Sequence, residues 1–182
     1  MTDPHFSNFP EAGLRFLRRL KRNNNRDWFL SHKREYEESI RNPMEELVET
    51  LALEFQRFAP EVQASPRVSL YRIHRDTRFS KDKTPYKTHV AAVFPCRGLA
   101  RHEGAGFYFH ISTEEVLIGG GLYSPLPEDL QAVRSTIASE YPRFTRIIRE
   151  RRFRRFFGEV SGEQLARVPR GFPTDHKAAI YL

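Results

Sequence analysis

The chain has 182 residues, with 30 Lys+Arg against 23 Asp+Glu, a net charge of +7 and a pI near 9.8. Its 39% hydrophobic content, including 15 Phe and 7 Tyr, supplies one packed core and excludes overall disorder. One Cys excludes a disulfide framework or a cysteine zinc site within one chain, and no apolar run approaches the ~18 residues of a membrane span.

The first third reads as helical. From Glu11 to Arg22, Leu14, Leu17 and Leu20 recur every three residues beside Phe16, with arginines between them. Asn25 is a good N-cap for a second helix, and Asp27 in its first turn suits the helix dipole. Trp28, Phe29, Tyr36 and Ile40 fall on its inner side. Asn42-Pro43 predicts a restart, an Asn cap followed by Pro at the first helical position. Met44, Leu47, Val48, Leu51, Phe55 and Phe58 then follow at helical spacing, and Pro60 and Pro66 close that helix.

The middle changes period. Val68 to His74 reads as a strand whose apolar residues switch face. Val90 to Phe94 is a second strand. Phe107, Phe109 and Ile111 alternate with Tyr108, His110 and Ser112, and the chain can turn at Ser112–Glu115 into Val116-Leu117-Ile118. Gly119-Gly120-Gly121 is expected to end or bulge that strand. Helices return over 127–141 and 142–157. The order implies an α+β fold: N-terminal helices, a central, mostly antiparallel sheet of about four or more strands, then C-terminal helices. A single domain over 1–182 is expected. The N-terminus, MTDPHFSNFP, lacks the basic-then-apolar order of a signal peptide, so a soluble, cytoplasmic protein with no membrane partner is expected.

The charge is local. Residues 67–101 carry nine basic residues against Asp76 and Asp82, net +7. Residues 102–142 are net −5, and 143–155 hold seven Arg against Glu150. Arg accounts for 24 of the 30 basic residues, a bias that can explain 143–155 by composition alone. It explains 67–101 less well, because three of the six Lys fall within 81–87.

Residues 72–89 are long for a plain hairpin connection, so they need their own reason to be ordered. Arg72, Arg75, Arg78, Lys81, Lys83 and Lys87 offer cationic donors, and Ser80 and Tyr86 add hydroxyls to the candidate ligand-binding set. Arg gives planar bidentate contacts and Lys a mobile point charge, a mixture suited to phosphate. Asp76 or Asp82 is the candidate catalytic acid/base, and the two could instead orient the bases or bind a metal. The competing reading is an ordered loop of surface ion pairs, with Phe79 and Tyr86 pinning it to the core. No Walker or dinucleotide fingerprint is present, and no metal spacing. His5, His32 and His102 are scattered. Tyr108 and His110 share one sheet face, which either lines a ligand cleft or lies beneath a helix.

One family resemblance runs along the chain. It is carried by Phe6-Ser-Asn-Phe9, Phe16-Leu17, Asn24 to Phe29, Tyr36, Gly119 to Tyr123 and Pro169 to His176, and is densest in Arg75 to Lys87. The sequence resembles the domain-of-unknown-function 2461 family. The resemblance implies a stand-alone domain and brings no activity, substrate or cofactor with it. Members of that family continue beyond the Asp175-His176 motif, whereas this chain ends on Ala178-Ala179-Ile180-Tyr181-Leu182, which implies truncation. Arg170 and His176 lie in this second polar loop, and Trp28, His176 and the Arg75–Lys87 loop are candidates to share one cleft.

The reading that follows is a protein that binds an anionic, phosphate-bearing small molecule through Arg75–Lys87, as a binder or as an enzyme. The alternatives are a nucleic-acid-binding module and a non-enzymatic interaction or assembly protein.

Overall fold

The computed structural model describes residues 6–101, 103–162 and 165–182; His5 and His102 lie outside the described residues. The chain divides into two compact units, Met1–Ser124 and Pro125–Leu182.

In the first unit, α1 (Glu11–Arg22) buries Phe16, Leu17 and Leu20, the stripe its spacing predicts. Gly13 sits where α1 crosses the chain closely. A Cβ there would stand 2.5 Å from the Ser39 carbonyl oxygen, so only Gly allows the approach. Asn25 caps α2 (Arg26–Ser31) as expected, its side-chain oxygen accepting from the Trp28 N–H at 2.9 Å. The Trp28 ring packs against Phe16 at 5.6 Å and stacks on His32 at 4.1 Å.

The expected restart at Asn42-Pro43 does not occur. The backbone stays helical from α3 (Lys33–Tyr36) through a π turn (Glu37–Arg41) into α4 (Asn42–Phe58). Pro43 has no N–H for the preceding turn, and its ring crowds a carbonyl there. Widening the turn to π geometry accommodates both. On α4, Met44, Val48 and Phe55 are buried.

The sheet has three strands among the described residues, not four or more. They are β1 (Val90–Pro95), β2 (Ala105–Ile111) and β3 (Val116–Leu122), antiparallel in the order β1-β2-β3. The strand expected at Val68–His74 is replaced at its start by one helical turn, α5 (Pro66–Ser69). Ser65 caps that turn and Pro66 occupies its first position, and this local pairing overrides the β preference of Val68. The following residues touch other extended chain only at isolated bridges, Leu70 with Ala92 and His74 with Tyr86. The glycines of β3 neither end nor bulge it. Gly119, Gly120 and Gly121 pair in register with Tyr108, Phe107 and Gly106.

Strand alternation gives the sheet two unlike faces. Ala92, Phe94, Phe107, Phe109 and Ile111 face the helices and join the core. Phe55 of α4 lies 5.0 Å from Phe94 and 5.4 Å from Phe107, ring to ring. The opposite face carries Ala91, Val93, Gly106, Tyr108, His110, Leu117, Gly119 and Gly121.

The second unit holds α6 (Pro127–Ser139), α7 (Tyr141–Arg149), α8 (Arg151–Phe157) and a 3-10 turn (Ala179–Tyr181). The helix expected over 142–157 is split at Glu150, whose ψ of 138° is extended. The C-terminal segment packs on α7, with Tyr181 edge-on to Phe144 at 5.0 Å. No helix among the described residues is long and apolar enough to cross a membrane.

Phe55 joins α4 to the sheet, so Phe55→Ala removes a buried ring from three aromatic contacts. It should cost about 3–5 kcal/mol, read as a lower midpoint in urea unfolding with an unchanged slope.

Candidate functional site

The Arg75–Lys87 loop is closed at its base by backbone. The Arg75 N–H donates to the Pro85 carbonyl at 2.8 Å, and the Lys87 N–H to that of Ile73 at 2.8 Å. Asn24, in the turn between α1 and α2, grips the same place with both ends of its carboxamide. It donates to the Tyr86 carbonyl at 2.9 Å and accepts from the Tyr86 N–H at 3.0 Å. The Tyr86 ring stacks on Phe29 at 4.1 Å and is buried. Tyr86 thus anchors the loop, as in the competing reading, and its buried ring is not presented as a ligand contact. Phe79 is no anchor: it stands 94% exposed at the tip, beneath the Arg78 guanidinium.

Inside the loop, two of the five cations, Arg75 and Arg78, are matched to carboxylates. The Arg75 guanidinium donates to Asp82, to the Thr84 hydroxyl and, at 3.4 Å, to Ser80 Oγ. Arg78 pairs with Asp76 through two nitrogens, at 3.0 and 2.7 Å. Lys83 Nζ donates to the Thr77 carbonyl at 2.9 Å. Arg72 and Lys81 are exposed and donate no side-chain hydrogen bond among the described residues.

The two carboxylates behave accordingly. The Arg78 side chain, helped by its backbone N–H, holds Asp76 down to about 2. The Thr84 backbone N–H, then Arg75 and the Thr84 hydroxyl, hold Asp82 down to about 2. At neutral pH both are ionised acceptors with no proton to give, and such acidic groups are weak bases. The geometry makes them ties within the loop.

A different cavity lies on the open face of the sheet. It has a volume of ≈ 710 Å³. Its floor is Ala91, Gly106, Gly119 and Gly121, and Tyr71, Tyr108 and Tyr123 also line it. The Tyr71 N–H donates to the Ala91 carbonyl at 3.1 Å, which holds residue 71 along β1. Two cations lie on the Tyr71 ring, Lys87 Nζ at 5.1 Å and the Arg101 guanidinium at 5.3 Å. Lys87 also donates to the Arg72 carbonyl at 3.0 Å, and Arg101 to those of Leu70 at 3.0 Å and Arg67 at 3.3 Å. These partners are neutral. Neither cation has a carboxylate ion-pair partner among the described residues. Burial, then the charges of Arg72 and Arg101, push the Lys87 ammonium below its ordinary value. One acid, Glu103, lines the cavity and accepts from the Ala100 N–H.

Two histidines complete the lining. Burial, then His110 and Lys87, lower the pKa of His89, so it is neutral at neutral pH. His110 Nε2 is 3.2 Å from Glu115 Oε1 and its Nδ1 is 3.1 Å from the Tyr108 hydroxyl. Burial, then Tyr71 and Tyr123, push the Tyr108 hydroxyl up, so it keeps its proton.

A smaller cavity of ≈ 410 Å³ opens beside the loop, between Lys21, Arg75 and Lys87. Here Arg75 is paired with Asp82, and Lys21 with Glu114 at 2.7 Å. No three His, Cys, Asp or Glu side chains are grouped to hold a metal among the described residues.

Residues 12–182 match the family model described as "Conserved hypothetical protein (DUF2461)". The chain belongs to the domain-of-unknown-function 2461 family. No curated protein and no solved structure matches it. In this family member, of the residues singled out from sequence, Tyr86 and Lys87 link the loop to the sheet, and Lys87 alone of the loop cations reaches the larger cleft. Arg72 is exposed beside it, while Arg75, Arg78, Ser80 and Lys83 are engaged within the loop. Arg170 and His176 belong to the second unit, where Arg170 is exposed and His176 Nδ1 accepts from the Ala178 N–H at 3.1 Å. Sequence reasoning left Tyr71, His89, Arg101 and Tyr123 outside the site. The one available signal was the alternation that put Tyr108 and His110 on a shared face.

A carboxylate near 2 when folded and about 3.9 when unfolded adds stability above pH 4, which is lost as pH falls from about 4 towards 2. Asp82→Asn should therefore flatten the stability–pH slope in that window and leave the slope above pH 5 unchanged, as read by urea unfolding at a series of pH values.

Proposed function

We propose that this protein binds a small anionic, phosphate-bearing ligand in the cleft on the open face of its sheet, with Lys87 and Arg101 as the anion holders. The observation that carries this reading is a contrast in charge compensation. Arg75 and Arg78 are each matched to a carboxylate inside the loop. Lys87 and Arg101 are matched only to carbonyls among the described residues and share one tyrosine ring, with the like charge of Arg72 also acting on Lys87. An anion would relieve that repulsion, in a partly buried setting where a charge contact is screened less than at the surface. The loop is then the support that delivers Lys87 to the cleft.

Titration of the chain with inorganic phosphate, followed by amide chemical shifts, tests this. Lys87→Ala with Arg101→Ala should abolish saturable binding, and Arg78→Ala with Lys83→Ala should leave it intact. The reverse pattern would return the anion site to the loop.

A second reading, a nucleic-acid surface, is favoured by α7 and α8. Of the seven arginines in 143–155, Arg143 is the one ion-paired among the described residues, and Phe156 and Phe157 are exposed beside them. Single-stranded oligonucleotide binding that weakens steeply with salt, with a slope reduced in Arg151→Ala/Arg154→Ala, is the expected result. Absence of binding at low salt would remove this reading.

A further inference from the structure

The cleft is asymmetric across the strands, and that asymmetry bears on the shape of its ligand. Both cations, which have no carboxylate partner among the described residues, stand on the β1 side, over Tyr71. None of the β3 residues that line the cavity is charged, and the one acid of the lining, Glu103, lies just before β2. On β3 the floor is bare backbone at Gly119 and Gly121, with nothing within 4 Å of where a Cβ would stand at either.

The three glycines of β3 have different causes. Gly120 lies under the Phe107 ring, which a Cβ would meet at 3.1 Å. Gly121 has a φ of +141°, which favours Gly. Gly119 has neither reason. Its φ lies outside the positive range and its surroundings are open. A strand interior is weakened by Gly unless something else approaches the backbone there. Its cross-strand partner on the same face is Tyr108, and Tyr123 also lines the cavity, 76% exposed. A flat, apolar surface bounded by tyrosines suits a planar ring. The Tyr71 ring under the cations lies 6.3 Å from the Tyr108 ring, and Gly119 is one strand spacing, about 5 Å, beyond Tyr108, a span comparable with the reach from a 5′-phosphate across a ribose to its base.

We infer that the ligand joins a phosphate to a flat ring, the nucleoside monophosphate being its simplest form. The phosphate lies at Lys87 and Arg101, and the ring lies over Gly119 between Tyr108 and Tyr123. This rests on the anion reading of the same cleft and adds the ring to it.

Calorimetric titration of the full chain with inorganic phosphate, ribose 5-phosphate and each of the four ribonucleoside monophosphates separates the two claims. At least one nucleotide should bind about ten-fold or more tighter than ribose 5-phosphate, the scale of one base stacked on an aromatic ring. Gly119→Val should remove that advantage and leave phosphate binding within about two-fold. Valine suits an extended position with open space, so thermal unfolding of this variant should match or exceed the parent chain. If phosphate binds but no nucleotide binds tighter than ribose 5-phosphate, the ring inference is overturned and the anion reading stands. If Gly119→Val keeps the nucleotide advantage, the ring does not lie on this floor and the inference is overturned. If neither phosphate nor nucleotide binds, both claims fall.

Discussion

Asn24 and Tyr86 are joined by a reciprocal pair of hydrogen bonds across 62 residues of sequence, and much of the first unit's functional geometry follows from it. Each such bond contributes a net 0.5–1.5 kcal/mol or so. Its larger effect is positional. It fixes the base of a long polar loop to the turn between α1 and α2, and Tyr86 is then seated on Phe29. The next residue is Lys87, so the clamp decides where that ammonium points. A carboxamide is well suited to the task, because it presents a donor and an acceptor side by side and matches one backbone N–H and C=O.

Charge compensation then sorts the basic residues. A local excess of +7 over 67–101 suggests a surface that attracts anions. That net figure already counts the two acids of the segment, so the excess itself is not cancelled by folding; folding decides which cations those acids take. Asp76 and Asp82 are the two acids of the segment, and each takes one arginine. The other seven cations of the segment have no carboxylate partner among the described residues, and of these Lys87 and Arg101 line the larger cleft. The last two come together over Tyr71 because β1 separates them in sequence and not in space.

Several elements were legible from sequence because their causes are local. The α1 stripe, the Asn25 cap and the β2–β3 hairpin each depend on residues a few positions apart. The errors share a cause too. At Asn42-Pro43 a local stop signal was absorbed by a π turn, since buried neighbours on both sides hold one continuous helix. At Val68 a Ser-Pro start outweighed β propensity. The pairing of Arg75 with Asp82 rather than with its neighbour Asp76 depends on the path of the loop, which no spacing rule supplies. Tyr71 and Arg101 entered the site for the same kind of reason: both are brought to the open face by contacts with β1 or with carbonyls distant in sequence.

The sequence by itself determined the α+β class, the family, the core stripe of α1, and the presence of one dense basic segment. These are sums over composition or patterns of short period, and burial enforces them whatever the detailed path of the chain. The tertiary structure alone decided which cations among the described residues remain without a carboxylate and which side chains meet on the sheet face turned away from the helices of the first unit. Both depend on distances between residues far apart in the chain. Electrostatic compensation falls off within a few ångströms, so a count of charges cannot say which of them are already matched.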